Sequence, residues 1–93
     1  MDNKELIDTV VSFGIVRYPL DKILNILPDD VDRDEFTQQF NNPTHDIAKA
    51  YQKGIDRSDY DIDIRLFEMA KSGDLSALEK YERRLRMRAT DED

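Results

Sequence analysis

The stretch GIDRSDYDIDIR at residues 54–65 is the densest group of potential metal ligands in the chain. Its carboxylates are Asp56, Asp59, Asp61 and Asp63. An EF-hand calcium loop uses oxygen ligands at positions 1, 3 and 5, a Gly at position 6 and a bidentate Glu at position 12. Counted from Asp59, positions 6 and 12 are Ile64 and Ala70. Both discriminating residues are missing, so the sequence predicts no metal site here.

The same stretch fits an α-helix. At 100° per residue, one apolar stripe on its surface is formed by Tyr51, Ile55, Ile62, Leu66 and Met69. We expect this stripe to be core, and the aspartates to form a solvated face beside it. A second apolar patch, roughly opposite the stripe, consists of Tyr60, Ile64 and Phe67. This patch is a candidate interaction surface, either for the following helix, through Leu78, Tyr81 and Leu85, or for another subunit.

Groups that could support catalysis are sparse. His45 is the single histidine and cysteine is absent, so neither a zinc site nor a nucleophilic dyad can be assembled around it. No acid/base pair stands out among the carboxylates, and there is no glycine-rich phosphate loop. We therefore expect no enzyme, no metal and no cofactor.

Two helices joined by the turn PDDVD form a possible helix-turn-helix unit. Its second helix carries side chains of the types that read base edges, namely Arg33, Thr37, Gln38, Gln39 and Asn41. Alternatively, the two short helices only complete a small core. Acidic residues crowd the start of that second helix, where phosphates would approach.

A basic stretch near the C-terminus consists of Lys80, Arg83, Arg84, Arg86 and Arg88. These cations could neutralise DNA phosphates. They could equally favour the helix dipole at a C-terminus and pair with Glu79 and Glu82 one turn away. The sequence leaves both interpretations open.

The start and stop signals in the sequence predict five helices, which would position these residues. The first begins at the cap Asp2 and is expected to stop at Gly14, the second begins at Pro19, and the third is capped by Asp32. The fourth is predicted over about residues 43–72, and Gly54 would weaken it by about 1 kcal/mol relative to Ala. Gly73 and Asp74 then turn the chain into a fifth helix, which forms a hairpin with the fourth. The prediction is an all-α protein with a helix-turn-helix-like front half, one domain over residues 1–89 and a frayed acidic tail at 90–93.

The length and the net charge of the chain limit its domain count and the partners it could bind. Ninety-three residues suit one small domain, and the net charge of −7 opposes nucleic-acid binding over most of the chain. Residues 1–70 hold 8 basic and 15 acidic side chains, whereas residues 71–90 hold 6 basic and 3 acidic ones. The longest near-apolar run is too short for a membrane span, and the acidic N-terminus lacks the basic flank of a signal peptide. We expect a cytoplasmic protein without membrane contact.

The run NNPTHDIAKAYQKGIDRSDYDIDIRLFEMAKSGDLSALEKY resembles the second half of small helix-turn-helix proteins related to bacteriophage terminase small subunits. That family has an Asn/Asp–Pro step, a helix with an AYxKG element, and then an LFExAKSG element. Here the two elements are Ala50–Gly54 and Leu66–Gly73, and the resemblance covers roughly residues 19–85. The chain differs from the family in lacking a basic recognition helix and a separate oligomerisation domain.

The resemblance implies a non-catalytic phage- or prophage-type protein that binds DNA and assists its packaging. Its partners would be double-stranded DNA, a packaging motor or another protein, and further copies of itself. The alternative is an acidic protein–protein interaction module that does not contact DNA.

Overall fold

The structure, a computed structural model, describes residues 1–91, which form five helices and no strand. The helices are α1 (Asn3–Ile15), α2 (Leu20–Ile26), α3 (Arg33–Phe40), α4 (Asp46–Lys71) and α5 (Leu75–Asp91). The all-α prediction is confirmed, as is the packing of a long helix against a C-terminal one. The end of the predicted frayed tail, residues 92–93, lies outside the described residues. Within the described part, no helix is both long and apolar enough to cross a bilayer.

Contacts along the chain divide it into two compact units. Unit 1 covers Met1–Ser58 and contains α1, α2, α3 and the first half of α4. Unit 2 begins at Asp59 and contains the second half of α4 together with α5. We refer to these two helical segments of unit 2 as the hairpin.

The core of unit 1 is a small cluster of side chains drawn from four helices. Its buried members are Val10, Phe13, Ile23, Leu27, Phe36, Ile47 and Ala50. Phe40 meets Tyr51 edge-on at 4.9 Å between ring centroids, and the Tyr51 hydroxyl donates to the Tyr18 carbonyl at 2.8 Å. Helical spacing predicts inward positions at Leu20, Ile23, Leu24 and Leu27 of the second helix and at Phe36 and Phe40 of the third. Of these, Ile23, Leu27 and Phe36 are buried.

Two glycines allow α1 and α4 to cross closely. A Cβ on Gly54 would lie 2.1 Å from the Val11 carbonyl oxygen and 2.9 Å from the Gly14 Cα. A Cβ on Gly14 would lie 2.1 Å from the Tyr51 carbonyl oxygen. The prediction that Gly14 ends the first helix is wrong, because α1 continues to Ile15 and Gly14 is buried against α4. Gly54 is needed for packing, and α4 runs through it unbroken.

Polar caps mark most helix starts. The predicted caps Asp2 and Asp32 accept from the backbone amides three residues later, at 2.8 and 3.0 Å. The predicted start of the fourth helix at residue 43 is wrong by three residues. Asn42 accepts from the Thr44 amide in a turn, and the His45 Nδ1 then accepts from the Ile47 amide at 3.0 Å. His45 thus caps α4, which begins at Asp46.

The hairpin of unit 2 turns at Gly73. That residue adopts φ +105°, a left-handed conformation that glycine accepts without a Cβ penalty. The Asp74 side chain then accepts from the Ala77 amide at 3.0 Å, which caps α5 as predicted. Ala77 is buried, and the Phe67 ring contacts the Tyr81 ring in a tilted arrangement, with ring centroids 5.7 Å apart.

The expectation that one apolar stripe of α4 is core along its whole length is wrong for its second half. Tyr51 and Ile55 are half-buried in unit 1. Ile62 and Met69 keep 41% and 48% of their surface exposed.

Candidate functional site

The α3 surface proposed to read DNA is partly committed to internal contacts. Arg33 is half-buried, and its guanidinium donates to the carbonyls of Pro28 and Val31, both at 2.8 Å, and of Leu27 at 2.6 Å. These three bonds tie together the connection between α2 and α3. Arg33 therefore stabilises the turn and is not presented toward a ligand.

The other polar residues of α3 divide into two groups. Gln39 donates to the Glu35 carboxylate at 3.1 Å, and the Thr37 hydroxyl donates to the Arg33 carbonyl at 2.8 Å. Gln38 lies near the C-terminal end of α3 and Asn41 directly follows it, and both residues are exposed. Unlike Arg33, Thr37 and Gln39, they are not engaged in these internal hydrogen bonds. The connection over residues 27–32 is also longer than the turn of about three or four residues usual in helix-turn-helix proteins.

Two cations of the basic stretch bind carboxylates of α4. The Arg84 Nε donates to the Asp63 Oδ1 at 2.5 Å, and its Nη2 lies 3.4 Å from the Asp59 Oδ1. The Arg88 Nη2 donates to the Asp63 Oδ2 at 2.5 Å. The prediction that all the aspartates form a solvated face is therefore wrong for Asp63, whose side chain is only 17% exposed. Asp63 is a bridging residue inside the hairpin.

The protonation of Asp63 reflects this environment. Burial raises the pKa of the Asp63 carboxyl, but the hydrogen bonds and positive charges of Arg84 and Arg88 outweigh it. The net result is a pKa below the usual value for aspartate. The ionised carboxylate is thus the form that the folded hairpin favours.

The sequence contains a signal for this ion pair that a helical wheel of α4 alone does not reveal. Asp59 and Asp63 lie one turn apart, as do Arg84 and Arg88, and the two pairs are about equally far from the Gly73 turn. Folding the two helices antiparallel about that turn brings the pairs opposite one another. The partner becomes visible only when both helices are considered together.

The remaining cations lie on the surface of α5. Lys80, Arg83 and Arg86 are exposed, and Arg83 pairs with Glu79 at 3.6 Å where both side chains are more than half exposed. Lys80 and Arg83 border a cleft of about 400 Å³, which is defined by Ile62, Leu66, Lys80, Arg83 and Arg84. We call it the cationic cleft.

The other side of the hairpin is an apolar flank. It consists of Tyr60, Ile64, Phe67, Leu78 and Leu85, whose exposed fractions run from 37% to 65%. The prediction that α5 covers the patch on α4 holds in part, because Phe67 contacts Tyr81 while Tyr60 stays 65% exposed. Clustered apolar side chains on a surface mark a binding site for protein more often than a simple solvent face.

The described residues bring together no three His, Asp or Glu side chains that could hold a metal ion. Comparison with known proteins does not assign the chain to a family. No family model, curated protein or solved structure matches this chain. The candidate functional features are therefore the C-terminal end of α3, the cationic cleft and the apolar flank.

Proposed function

We propose that this chain is a non-catalytic, phage-type DNA-packaging accessory protein, similar in role to terminase small subunits. The observation that carries the proposal is the α2–α3 unit, which is set on a compact core and leaves Gln38 and Asn41 accessible at the end of α3. Side-chain amides of this kind make bidentate contacts with adenine edges in a major groove.

The two elements that resemble the terminase family support the proposal because each ends at a glycine that this fold requires. The AYQKG element ends at Gly54, where α1 and α4 cross. The LFEMAKSG element ends at Gly73, where the hairpin turns. Residues with such backbone roles are those that a shared fold would retain.

The acidic charge of the chain limits how a single copy could bind DNA. Arg33 and Arg84 are engaged internally, and acidic residues surround the start of α3. Useful affinity would require several copies acting together, because linked sites bind with avidity. The apolar flank is a surface through which copies could associate.

A second candidate function is a protein–protein interaction module that does not contact DNA. The specific observation in its favour is that Arg33, Arg84 and Arg88, three of the candidate DNA-binding arginines, serve internal contacts while the apolar flank stays exposed. Under this alternative, the hairpin is the functional element and α3 only completes the core.

Duplex DNA binding measured by fluorescence anisotropy at low and moderate salt separates the two functions. If the protein packages DNA, the affinity falls steeply as salt rises, and Arg86→Ala reduces that salt dependence. Gln38→Ala blurs sequence preference with little change in the salt dependence. Arg57→Ala, at an exposed cation outside the candidate surfaces, serves as the matched control. No binding at low salt and high protein concentration would refute the DNA function and leave the interaction module.

A further inference from the structure

We propose that the cationic cleft binds an acidic amphipathic helix of a partner protein. The cleft lies along the groove between the two helices of the hairpin, with Ile62 and Leu66 on one side and Lys80 and Arg83 on the other. This role goes beyond DNA binding and does not depend on it.

The floor of the cleft is apolar and open to solvent. Ile62 is 41% exposed, and Leu66 is half-buried. Met69 and Met87, at 48% and 61% exposed, fall on the same side of the hairpin at 100° per residue. Methionines on a binding surface adapt to the shape of apolar partners. The occupant must therefore carry apolar side chains.

The rim of the cleft is positively charged although the chain as a whole carries −7. Lys80 and Arg83 line it, and the Arg83 pair with Glu79, at 3.6 Å, is more than half exposed on both sides and therefore screened by water. The nearby carboxylates Asp59 and Asp63 are held by Arg84 and do not oppose this charge. Within the described chain the Lys80 ammonium has no ion pair. Charge complementarity thus selects carboxylates beside the partner's apolar stripe.

A helix is the occupant whose shape fits this groove. Two packed helices offer a third one a groove lined by side-chain ridges, and binding in it places anchors at i, i+3, i+4 and i+7. Residues 59–71 of α4 span about 20 Å at 1.5 Å per residue, which matches a partner helix of about three to four turns.

Two other occupants fit less well. A second copy of this chain using the same surface would set Lys80 and Arg83 against themselves, and like charges across an interface are unfavourable. A nucleic-acid backbone would meet the cations but has no apolar groups to cover Ile62 and Leu66. The acidic amphipathic helix satisfies both features.

The test uses the full chain and two fluorescein-labelled synthetic peptides of about four turns. Both peptides carry Leu at i, i+3, i+4 and i+7. One has Glu at the flanking positions, and the other has Lys. Anisotropy at moderate salt is expected to show binding of the Glu peptide and not of the Lys peptide.

The double variant Lys80→Glu/Arg83→Glu should lose about tenfold or more in affinity for the Glu peptide and gain affinity for the Lys peptide. A gain of binding cannot result from misfolding.

The apolar floor is tested with a matched pair of variants. Ile62→Ser should weaken binding of the Glu peptide about fivefold or more, whereas Ile26→Ser, at an exposed isoleucine of α2, should leave it unchanged. Equal binding of both peptides, or wild-type affinity in Ile62→Ser, overturns the proposal. So does displacement of the peptide by duplex DNA at equal concentration, which would assign the cleft to phosphates. A dimer that Ile62→Ser dissociates would instead assign it to a second copy, and it too would overturn the proposal.

Discussion

At the scale of single residues, Gly54 shows why the same sequence feature can be read in opposite ways. Helix propensity alone makes a glycine in mid-helix a weakness of about 1 kcal/mol relative to Ala. In the folded protein a Cβ at this position would come within 2.1 Å of the Val11 carbonyl oxygen. Steric exclusion of the side chain by backbone outweighs propensity, because backbone atoms of two packed helices cannot move aside as a side chain end can.

Gly54→Ala should therefore lower the free energy of unfolding by about 3 kcal/mol or more, despite the gain in helix propensity. Urea denaturation followed by circular dichroism measures the change. Gln52→Ala, at an exposed position on the same helix, is the control and should stay within about 0.5 kcal/mol of the wild type. A stabilised Gly54→Ala protein would show that α1 and α4 do not cross closely.

Asp63 is the second residue whose role depends on its partner. Because Arg84 and Arg88 lower its pKa in the folded state, folding favours the ionised carboxylate. Its stabilising contribution is therefore complete above the unfolded pKa of about 4 and is lost as pH falls through that value toward the folded one.

Asp63→Asn should cost about 1 kcal/mol at neutral pH, since the pair with Arg84 is partly exposed and partly screened. Between about pH 5 and pH 3 the wild type should lose more stability than the variant, so the two approach each other in acid. Asp61→Asn, at an exposed carboxylate on the same helix, should behave like the wild type. Parallel pH profiles of the wild type and Asp63→Asn would contradict the bridging role of Asp63.

At the scale of elements, α4 is a single helix with two different environments. Its first half lies on the core of unit 1, with Ile47 1% exposed. Its second half forms the hairpin, where Ile62 is 41% exposed. The apolar side of α4 is continuous in sequence, but it is buried in the first half of the helix and partly exposed in the second.

The two isoleucines provide a matched test of this difference. Ile47→Ala should cost about 2–5 kcal/mol, as expected for a large-to-small change in a packed core. Ile62→Ala should cost less than about 1 kcal/mol, because much of its surface is already in water. Chemical denaturation of both variants measures the difference. Similar large costs at the two sites would mean that the stripe is buried along its whole length.

At the scale of the whole molecule, the proposed DNA binding calls for an assembly rather than one chain. A net charge of −7 opposes DNA binding by a monomer, and the apolar flank exposes Tyr60 to 65%. Association through that flank would cover it and would multiply the number of α3 surfaces on one DNA molecule.

We expect the mass in solution, measured by light scattering, to exceed that of one chain at concentrations on the order of tens of micromolar. Tyr60→Ser/Ile64→Ser should return it to the mass of a monomer with little change in helix content, since both residues are exposed. The same variant should lose most DNA affinity if avidity supplies it. A wild type that is monomeric at every concentration would contradict association through the apolar flank.

The sequence by itself determined the helical class, most helix boundaries and the inward faces of α2 and α3, because those follow from local signals. The caps Asp2, Asp32 and Asp74, the turn at Gly73 and the buried Ile23 and Phe36 could each be predicted from neighbours within a few residues. The outward positions of the apolar flank on α4 also follow from helix periodicity.

Only the tertiary structure decided the contacts that join residues far apart in the chain. Arg33 turned inward because its guanidinium reaches three carbonyls of the α2–α3 connection, and Asp63 became a bridge because antiparallel packing placed Arg84 opposite it. The close approach at Gly54 and the cationic cleft likewise depend on how two helices cross or pair. Local patterns specify which face of a helix is apolar, but the packing partner determines whether that face becomes core, crossing or binding surface.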